Sequence, residues 1–369
     1  MQFMRRFARI CDVLYVNSLG VSGPRVGEGA WFARRVLRKA RSMARYCRDG
    51  GEGFRVVSPV FWPAVQGWSG RVSARLLAVQ LRLIARVLGM HRPLLWVACP
   101  TAAVVVERLR AGGLVYQLSD CYASLGGKCD GAARLESELA RRADLVLCSS
   151  TRLLERSRAL YAVGEYVDHG VDFDLFDSAA RAHQVPEELR DLPRPLIGFF
   201  GNLDGNTVDR GLLERVIESR PRYTFVLVGP AAPDFEVLGR HRNVTMIGRR
   251  PYRQIAHYGA AFDVCLMPWL QNTWIEHCNP VKLKEYLALG KPIVSTPFPE
   301  LGRVAHHAYV AVTASEFAAA IDTALAEDGP EKAAGRKDWA AGRTWDAQFE
   351  RVLQLLSERR IFLDGDAGH

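Results

Sequence analysis

Long apolar runs are missing from this chain of 369 residues. The most apolar extended stretch, Arg71 to Gly89, is interrupted by Arg75, Arg82 and Arg86, so no membrane-spanning helix is expected. Arg5, Arg6 and Arg9 precede an apolar run, but Asp12 lies inside it, and a strand over Ile10–Val16 fits better than a secretory signal. Paired cysteine signals are missing too. The eight cysteines are scattered, with no Cys-x-x-Cys and no Cys/His set at zinc spacing. Cys99, Cys148 and Cys265 sit in or beside strand-like apolar runs, where the thiol acts as a small hydrophobe of a reduced, cytosolic protein. Gly-x-Gly-x-x-Gly is absent as well. Gly20, Gly23, Gly27 and Gly29 follow the first strand at other spacings, which argues against a nicotinamide enzyme.

What is present is ordinary globular composition, 49% hydrophobic and 24% charged, in a length sufficient for two domains. The charge is unevenly placed. Residues 1–92 hold 17 Arg/Lys against 4 Asp/Glu, and residues 93–369 hold 32 against 36. A basic first part suits an anionic partner: a membrane surface, an acidic or phosphorylated acceptor, or nucleic acid. A solvated basic face is the alternative.

Short β-rich runs alternate with amphipathic stretches. Strands are expected at Ile10–Val16, Phe54–Val57, Leu94–Ala98, Leu114–Leu118 and Leu145–Cys148, and helices at Ala30–Arg48, 71–89, Ala102–Arg110 and Ala132–Arg142. Glu165–Asp172 reads as a last strand and turn, followed by a polar stretch to Pro195. The alternation then restarts with strands at Leu196–Phe200, Tyr223–Val228, Val244–Ile247, Asp263–Met267, Pro292–Ser295 and Tyr309–Val312. Helices are expected at Val208–Arg220, Tyr252–Tyr258, Val281–Leu289 and Ser315–Leu325, with a last one from Trp345 to Arg359. The pattern predicts an α/β protein of two doubly wound, Rossmann-like domains facing a central cleft. The expected division is 1–172, 173–344, and a C-terminal helix with a loose tail, 345–369, crossing back to the first domain.

The stretch Asn279-Pro280-Val281-Lys282-Leu283-Lys284-Glu285 opens a helix that Gly290 and Pro292 end. A helix N-terminus with Lys282 in its first turn suits a diphosphate. Glu285, one turn on, could accept hydrogen bonds from two ribose hydroxyls. The competing reading of Lys282 and Glu285 is a surface helical pair.

This stretch resembles the donor-binding segment of the GT-B nucleotide-sugar glycosyltransferases of family 4. Phe199-Phe200-Gly201-Asn202, Phe225–Pro230, Asn243–Gly248, Ala261–Pro268, His169-Gly170-Val171-Asp172 with Phe176, and Trp345 resemble that family's other signatures. The resemblance covers about residues 94–360 and is closest to enzymes of bacterial surface-polysaccharide assembly of the teichuronic acid type. It implies transfer of a sugar from a nucleoside diphosphate sugar to a glycan, with no metal and no cofactor beyond the donor.

By this resemblance Glu285 matches the ribose ligand, the second of the family's paired glutamates. The first should fall at His277, with Glu276 beside it, so His277 and Glu276 are the candidates at the transferred sugar. The family's Arg…Lys diphosphate clamp is missing: Asn202, Asp204 and Asn206 stand there, with Arg210 further on. Lys282 is the substitute, with Gly201, Asn202, Arg249, Asn279, Pro280 and Val281 completing the expected donor site. Arg250 is a second helper, or Arg249 and Arg250 are a solvated loop pair. Glu138 lies at a position that matches the family, and His169 in the linker is a further candidate.

Asp120 follows the strand Leu114–Leu118 and is the expected catalytic base on an acceptor hydroxyl, which would make the reaction inverting. The alternative is a turn or cap aspartate. Without a base, front-face attack assisted by the leaving phosphate would retain configuration. Arg71, Arg75, Arg82 and Arg86 line one helical face, with Leu76, Val79, Leu83 and Val87 on neighbouring faces. Such a helix suits an anionic membrane surface and a lipid-linked acceptor, or is an ordinary half-buried helix. The expected place is the cytoplasm, peripheral at the inner face of the plasma membrane. Competing readings are a GT-B-like nucleotide-sugar epimerase, a non-catalytic GT-B scaffold (because His277 replaces a glutamate), and nucleic-acid binding. The last is disfavoured because no aromatic-interleaved basic platform is present.

Overall fold

The structure, a computed structural model, describes residues 1–17, 47–49, 53–59, 67–122, 131–161 and 164–361. The chain divides into two compact units, Met1–Val167 with Phe349–His369, and Asp168–Gln348.

The first unit opens with a helix, α1 (Gln2–Phe7), where none was expected. Its buried Phe3 and Phe7 each pack on Trp96 with ring centroids 5.6 Å apart, and Phe7 also meets Phe349. Turn bonds from Ile10 and Cys11 to the Phe7 carbonyl keep the following residues out of extended conformation. The first strand therefore starts at Leu14, not Ile10. Strands β1 (Leu14–Val16), β2 (Cys47–Asp49) and β3 (Arg55–Val57) form a sheet in the order β1-β3-β2, with β2 antiparallel. Cys47 and Arg48, expected to end a helix, are strand residues. The remainder of that helix and the loop Ser18–Gly29 lie outside the described residues.

A second, parallel sheet runs β4 (Leu94–Val97), β5 (Gly113–Leu118), β6 (Leu145–Cys148) and β7 (Glu165–Tyr166). So the described strands of this unit lie in two sheets. Its helices are α2 (Gly67–Val87), α3 (Ala103–Val106), α4 (Ala132–Arg142) and α5 (Thr151–Tyr161). α3 is shorter than the expected Ala102–Arg110, because Arg108 and Leu109 turn back in three-residue bonds. Leu135 and Leu139 of α4 and Leu153 of α5 close over Tyr116, Leu118, Val146 and Cys148.

The second unit is one six-stranded parallel sheet: β8 (Leu196–Phe200), β9 (Thr224–Val228), β10 (Val244–Gly248), β11 (Val264–Met267), β12 (Ile293–Ser295) and β13 (Ala308–Val310). Its helices are α6 (Phe173–Ala182), α7 (Arg210–Ser219), α8 (Pro233–Glu236), α9 (Tyr252–Ala261), α10 (Thr273–Glu276), α11 (Val281–Ala288), α12 (Ala314–Glu327) and α13 (Pro330–Ala341), and α14 (Trp345–Glu358) begins in it. Every residue of β8, β9 and β11 is buried, as a sheet covered on both faces requires. Side chains alternate across it. Ile197, Phe199, Phe225 and Leu227 meet the buried face of α7 and α12, while Phe200, Val226 and Val228 meet α6, α9 and α11.

The order β10-β9-β8-β11-β12-β13 reverses direction between β8 and β11. In doubly wound sheets, ligands bind at such a switch point, beyond the carboxyl ends of the strands. At the unit's entrance, the Val171 N–H donates to the Arg343 carbonyl (3.0 Å), and the Trp345 N–H donates back to Val171 (3.3 Å). Gly170 permits this: a Cβ there would lie 2.4 Å from the Trp345 backbone.

Candidate functional site

β8 ends at Phe200, and Gly201 turns away with φ 137°, a conformation that favours glycine. Its N–H donates to the Val228 carbonyl at 2.8 Å, tying together the ends of β8 and β9. Opposite stands Lys282, the second residue of α11. A Cβ on Gly201 would fall 2.5 Å from the Lys282 Nζ, so glycine keeps that side of the ammonium open. The ammonium lies 3.8 Å from the centroid of the Phe199 ring and 5.9 Å from that of Trp269. Among the described residues no carboxylate pairs with it within 4.0 Å. Burial lowers its pKa to about 7, with Glu285, Cys278 and Asp204 acting the other way. A half-buried, desolvated cation that no described carboxylate pairs with is prepared for an anion.

Glu285 is 7% exposed and accepts a 2.8 Å hydrogen bond from the Tyr252 hydroxyl on Oε1. Burial pushes its carboxyl up to about 7, against the Tyr252 bond and the Lys282 charge. Neither residue therefore fits the alternative of a solvated surface pair. Pro280 is extended (φ −75°, ψ 127°) and caps α11, so Val281 occupies the first helical position, as expected.

Asn279 does not serve as expected. Its Nδ2 donates to Asp168 Oδ1 at 2.7 Å, and its Oδ1 accepts from Lys284 Nζ at 2.8 Å. Lys284 also pairs with Asp168 at 2.8 Å. All three are buried, so the Asn279 amide is engaged inside the unit and not turned to a ligand. Asp168 and Lys284 were absent from the expected set. The ion pair brings the first residue of the unit to the helix that carries Lys282. His169 follows, with its ring centroid 6.0 Å from that of Trp345. Burial, then the Lys284 charge, lower its pKa to about 4 against the pull of Asp168, so the imidazole is neutral near pH 7.

The candidates at the sugar are Glu276 and His277. Glu276 ends the four-residue α10 and is exposed; it lines an open cavity of about 540 Å³ with Gln271, Asn272 and Phe298. The His277 Nδ1 lies 2.8 Å from the Thr273 carbonyl. Asn202 and Arg249 are exposed. Arg250 is held by Glu188 (2.8 Å) and Tyr258 (2.9 Å), and Arg210 by Glu214 (2.9 Å), so neither is a free cation for a diphosphate.

In the first unit Asp120 lies two residues beyond β5, half-buried, and burial raises its carboxyl above the usual range. Among the described residues it caps no helix. Glu138 forms an exposed pair with Arg134 at 3.6 Å, a surface arrangement. On α2 the arginines at 71, 75, 82 and 86 are all exposed, and so are Val72, Leu76, Val79, Leu83 and Val87. The apolar residues share the outward side with the arginines, while Ala74, Leu77, Ala78 and Leu81 form the buried one. α2 thus has one buried side and one outward side that is both basic and apolar, and it contains no acid.

Among the described residues no group of three or more His, Cys, Asp or Glu is placed to hold a metal ion. The triplet Asp172-Phe173-Asp174, an Asp-x-Asp that the metal-free expectation leaves out of account, sits at the start of α6. No helix among the described residues is long and apolar enough to cross a membrane.

Residues 194–327 match the family of glycosyl transferases group 1. A Bacillus subtilis (strain 168) protein, TuaH, named as a teichuronic acid biosynthesis glycosyltransferase, is 27% identical over 291 residues, with 72% of each chain covered. Among solved structures, Anabaena Alr3699/HepE in complex with UDP and glucose matches with TM-score 0.66 and 19% identity, over 93% of this chain and 98% of that one. Sucrose-phosphate synthase from Thermosynechococcus elongatus matches with TM-score 0.68 and 15% identity, over 94% and 98%.

Proposed function

We propose that this chain, a GT-B glycosyltransferase of the family 4 type, moves a sugar from a nucleoside diphosphate sugar to a lipid-linked glycan in cell-surface polysaccharide biosynthesis. The observation that carries the reading is Lys282: a desolvated ammonium with no ion-paired carboxylate among the described residues, at the start of a helix, on the carboxyl edge of the sheet at its switch point. Departure of the nucleotide leaves charge on the diphosphate. Lys282 and the first N–H groups of α11 stabilise that charge as it develops, with no metal required. Glu285 keeps Oε2 for the ribose hydroxyls while Tyr252 fixes Oε1. The UDP held by Alr3699/HepE makes a uridine nucleotide the first candidate donor.

Asp120, with its raised pKa, is the base that takes the acceptor's proton, and transfer then inverts configuration. The outward face of α2 holds the protein to an anionic bilayer at the cytoplasmic face of the plasma membrane, where a lipid-linked acceptor is presented. One observation favours a second reading, a scaffold that binds nucleotide without turnover: His277, where the family places a glutamate, has its Nδ1 2.8 Å from the Thr273 carbonyl.

A thermal-shift panel of UDP-, GDP-, dTDP- and CDP-sugars, with and without magnesium, tests the donor site. One nucleotide family should stabilise the protein regardless of magnesium, and Lys282→Ala and Glu285→Ala should abolish the shift. No shift with any nucleotide sugar overturns the assignment. A shift without sugar transfer or donor breakdown favours the scaffold.

A further inference from the structure

The backbone N–H and C=O groups along a strand edge need partners, whether a neighbouring strand, water or a ligand. In the first unit two edges lack the strand. β1 is bonded to β3 and β4 to β5, and among the described residues no strand pairs with the other edge of either. All of β1 and three of the four residues of β4 are half-buried, whereas β6 is buried throughout. Both strands line one cavity of about 1320 Å³. That exceeds the roughly 300–1,000 Å³ of a single small-molecule site. Its lining includes every residue from Leu88 through Cys99, so it is a slot that follows β4.

The slot is polar along its length. His91 stands at one end, Tyr15, Trp96 and Gln117 along the middle, and Asn17 and Thr101 at the other end. The Trp96 indole donates to the Gln117 amide oxygen at 2.8 Å, which fixes the ring. Neighbouring hydroxyls of a sugar both donate and accept, so a glycan can satisfy a strand edge. Tyr15 and Trp96 add ring surface for the apolar faces of its sugars.

The charges around the slot are of one sign. Arg82, Arg86, Arg92 and Arg110 line it and are exposed, none is ion-paired among the described residues, and Asp12 is the one acid in the described lining. Arg86 lies in the last turn of α2, Arg92 precedes β4 and Arg110 precedes β5, so these three gather toward the amino ends of the strands. Thr101 follows β4 as Asp120 follows β5, and the two strands are parallel. The far end of the slot therefore reaches the edge of the sheet that holds Asp120.

We propose that this slot is an acceptor subsite and that the acceptor is an acidic glycan. Its carboxylate or phosphate groups meet Arg86, Arg92 and Arg110, and its growing end is carried to the edge that holds Asp120. The assignment rests on the glycosyltransferase reading above and adds the class of acceptor to it. Arg82 and Arg86 also belong to the outward face of α2, so the lipid end of such an acceptor leaves the slot where the bilayer is met.

Fluorescence anisotropy of the full-length protein with labelled tetragalacturonate and labelled phosphorylated maltotetraose tests it. At least one of the two should bind, and the tighter one identifies the anionic group as carboxylate or phosphate. Neutral maltotetraose, and a blocked tetraglutamate of equal charge, should each compete at least about tenfold less well. An exposed ion pair contributes up to about fivefold in affinity, so Arg92→Gln/Arg110→Gln should weaken binding about 5- to 25-fold. Ala85→Trp, which narrows the slot, should weaken it at least about fivefold. Binding of neither acid, equal competition by maltotetraose or tetraglutamate, or parent affinity in the arginine pair overturns the inference. Equal competition by tetraglutamate would mark a basic surface or a peptide groove instead. If Ala85→Trp does not fold, the exposed arginine pair decides alone. The nucleotide-sugar thermal shift is measured on the same samples. Absence of glycan binding with that shift intact overturns this inference alone, whereas absence of the shift in the parent protein overturns the donor site.

Discussion

Replacing Lys282 by Met removes the charge that the donor's diphosphate is expected to meet. A charge-assisted hydrogen bond contributes about 1.5–3 kcal/mol, so nucleotide-sugar affinity should fall roughly 10- to 150-fold. The pH dependence is more discriminating. The Lys282 pKa is lowered from 10.5 to about 7 by burial, so the empty site is protonated below about pH 7 and neutral above it. Binding of a diphosphate requires the proton. Affinity should therefore be level below about pH 7 and fall by up to about tenfold per pH unit above it. Glu285, raised to about 7, ionises over the same range and so also shapes the profile. Lys282→Arg should remove one part of the slope and Glu285→Gln the other, because arginine keeps its charge and glutamine never gains one. Titration calorimetry with the stabilising nucleotide sugar, whose diphosphate does not titrate here, gives the profile. The nucleotide-free fold supplies an independent check. Between about 7 and 10.5 the unfolded chain holds the lysine proton and the folded chain does not, so this group's contribution to stability rises with pH through that window. Lys282→Met should accordingly raise the melting temperature more near pH 6 than near pH 9. Affinity independent of pH in the parent, or a Met variant that binds within about twofold of it, refutes the reasoning.

Gly201→Ala places a methyl 2.5 Å from the Lys282 Nζ on a backbone at φ 137°; a cost of about 1–3 kcal/mol in stability and weaker nucleotide binding are expected from denaturant and binding titrations. Lys284→Met leaves the Asp168 carboxylate buried beside Asn279, which should cost about 3–5 kcal/mol by urea unfolding. The double variant Lys284→Met/Asp168→Asn should recover part of that loss, and fully additive losses would contradict the pairing. Arg71→Glu with Arg75→Glu, on the outward face of α2, should leave the melting temperature within the range of surface changes (about ±0.5 kcal/mol) while reducing co-sedimentation with anionic vesicles.

The second unit was legible because its strands are apolar runs bounded by turn residues. β8 begins after Pro195 and stops before Gly201, and its expected and observed limits coincide. α4 and β6 likewise fall at their expected residues. α6 and α13 were not legible: each turns only two residues fully inward, and one of the two in α13 is Arg336. A helix with so narrow a buried stripe reads as a polar loop. The charge at Lys282 could be placed from its position in the first turn. Its aromatic setting could not, because Phe199 comes from a strand far away in sequence. Asn279 looked available for the same reason: its partner Asp168 lies 111 residues earlier. At α2 the spacing of the arginines gave one face, but which apolar residues stay outside depends on the packing of Leu77, Ala78 and Leu81 against Val105.

The adjoining hydrogen bonds of Val171 with Arg343 and Trp345 have a topological consequence. The first unit is assembled from both ends of the chain, and the second, Asp168–Gln348, is an insert whose two ends touch. An insert of that kind can be removed by cutting at one place on its surface and rejoined through a linker of a few residues. The second unit is thereby a transplantable cassette. Hosts with a different first unit could receive it without any strand of the three described sheets being interrupted.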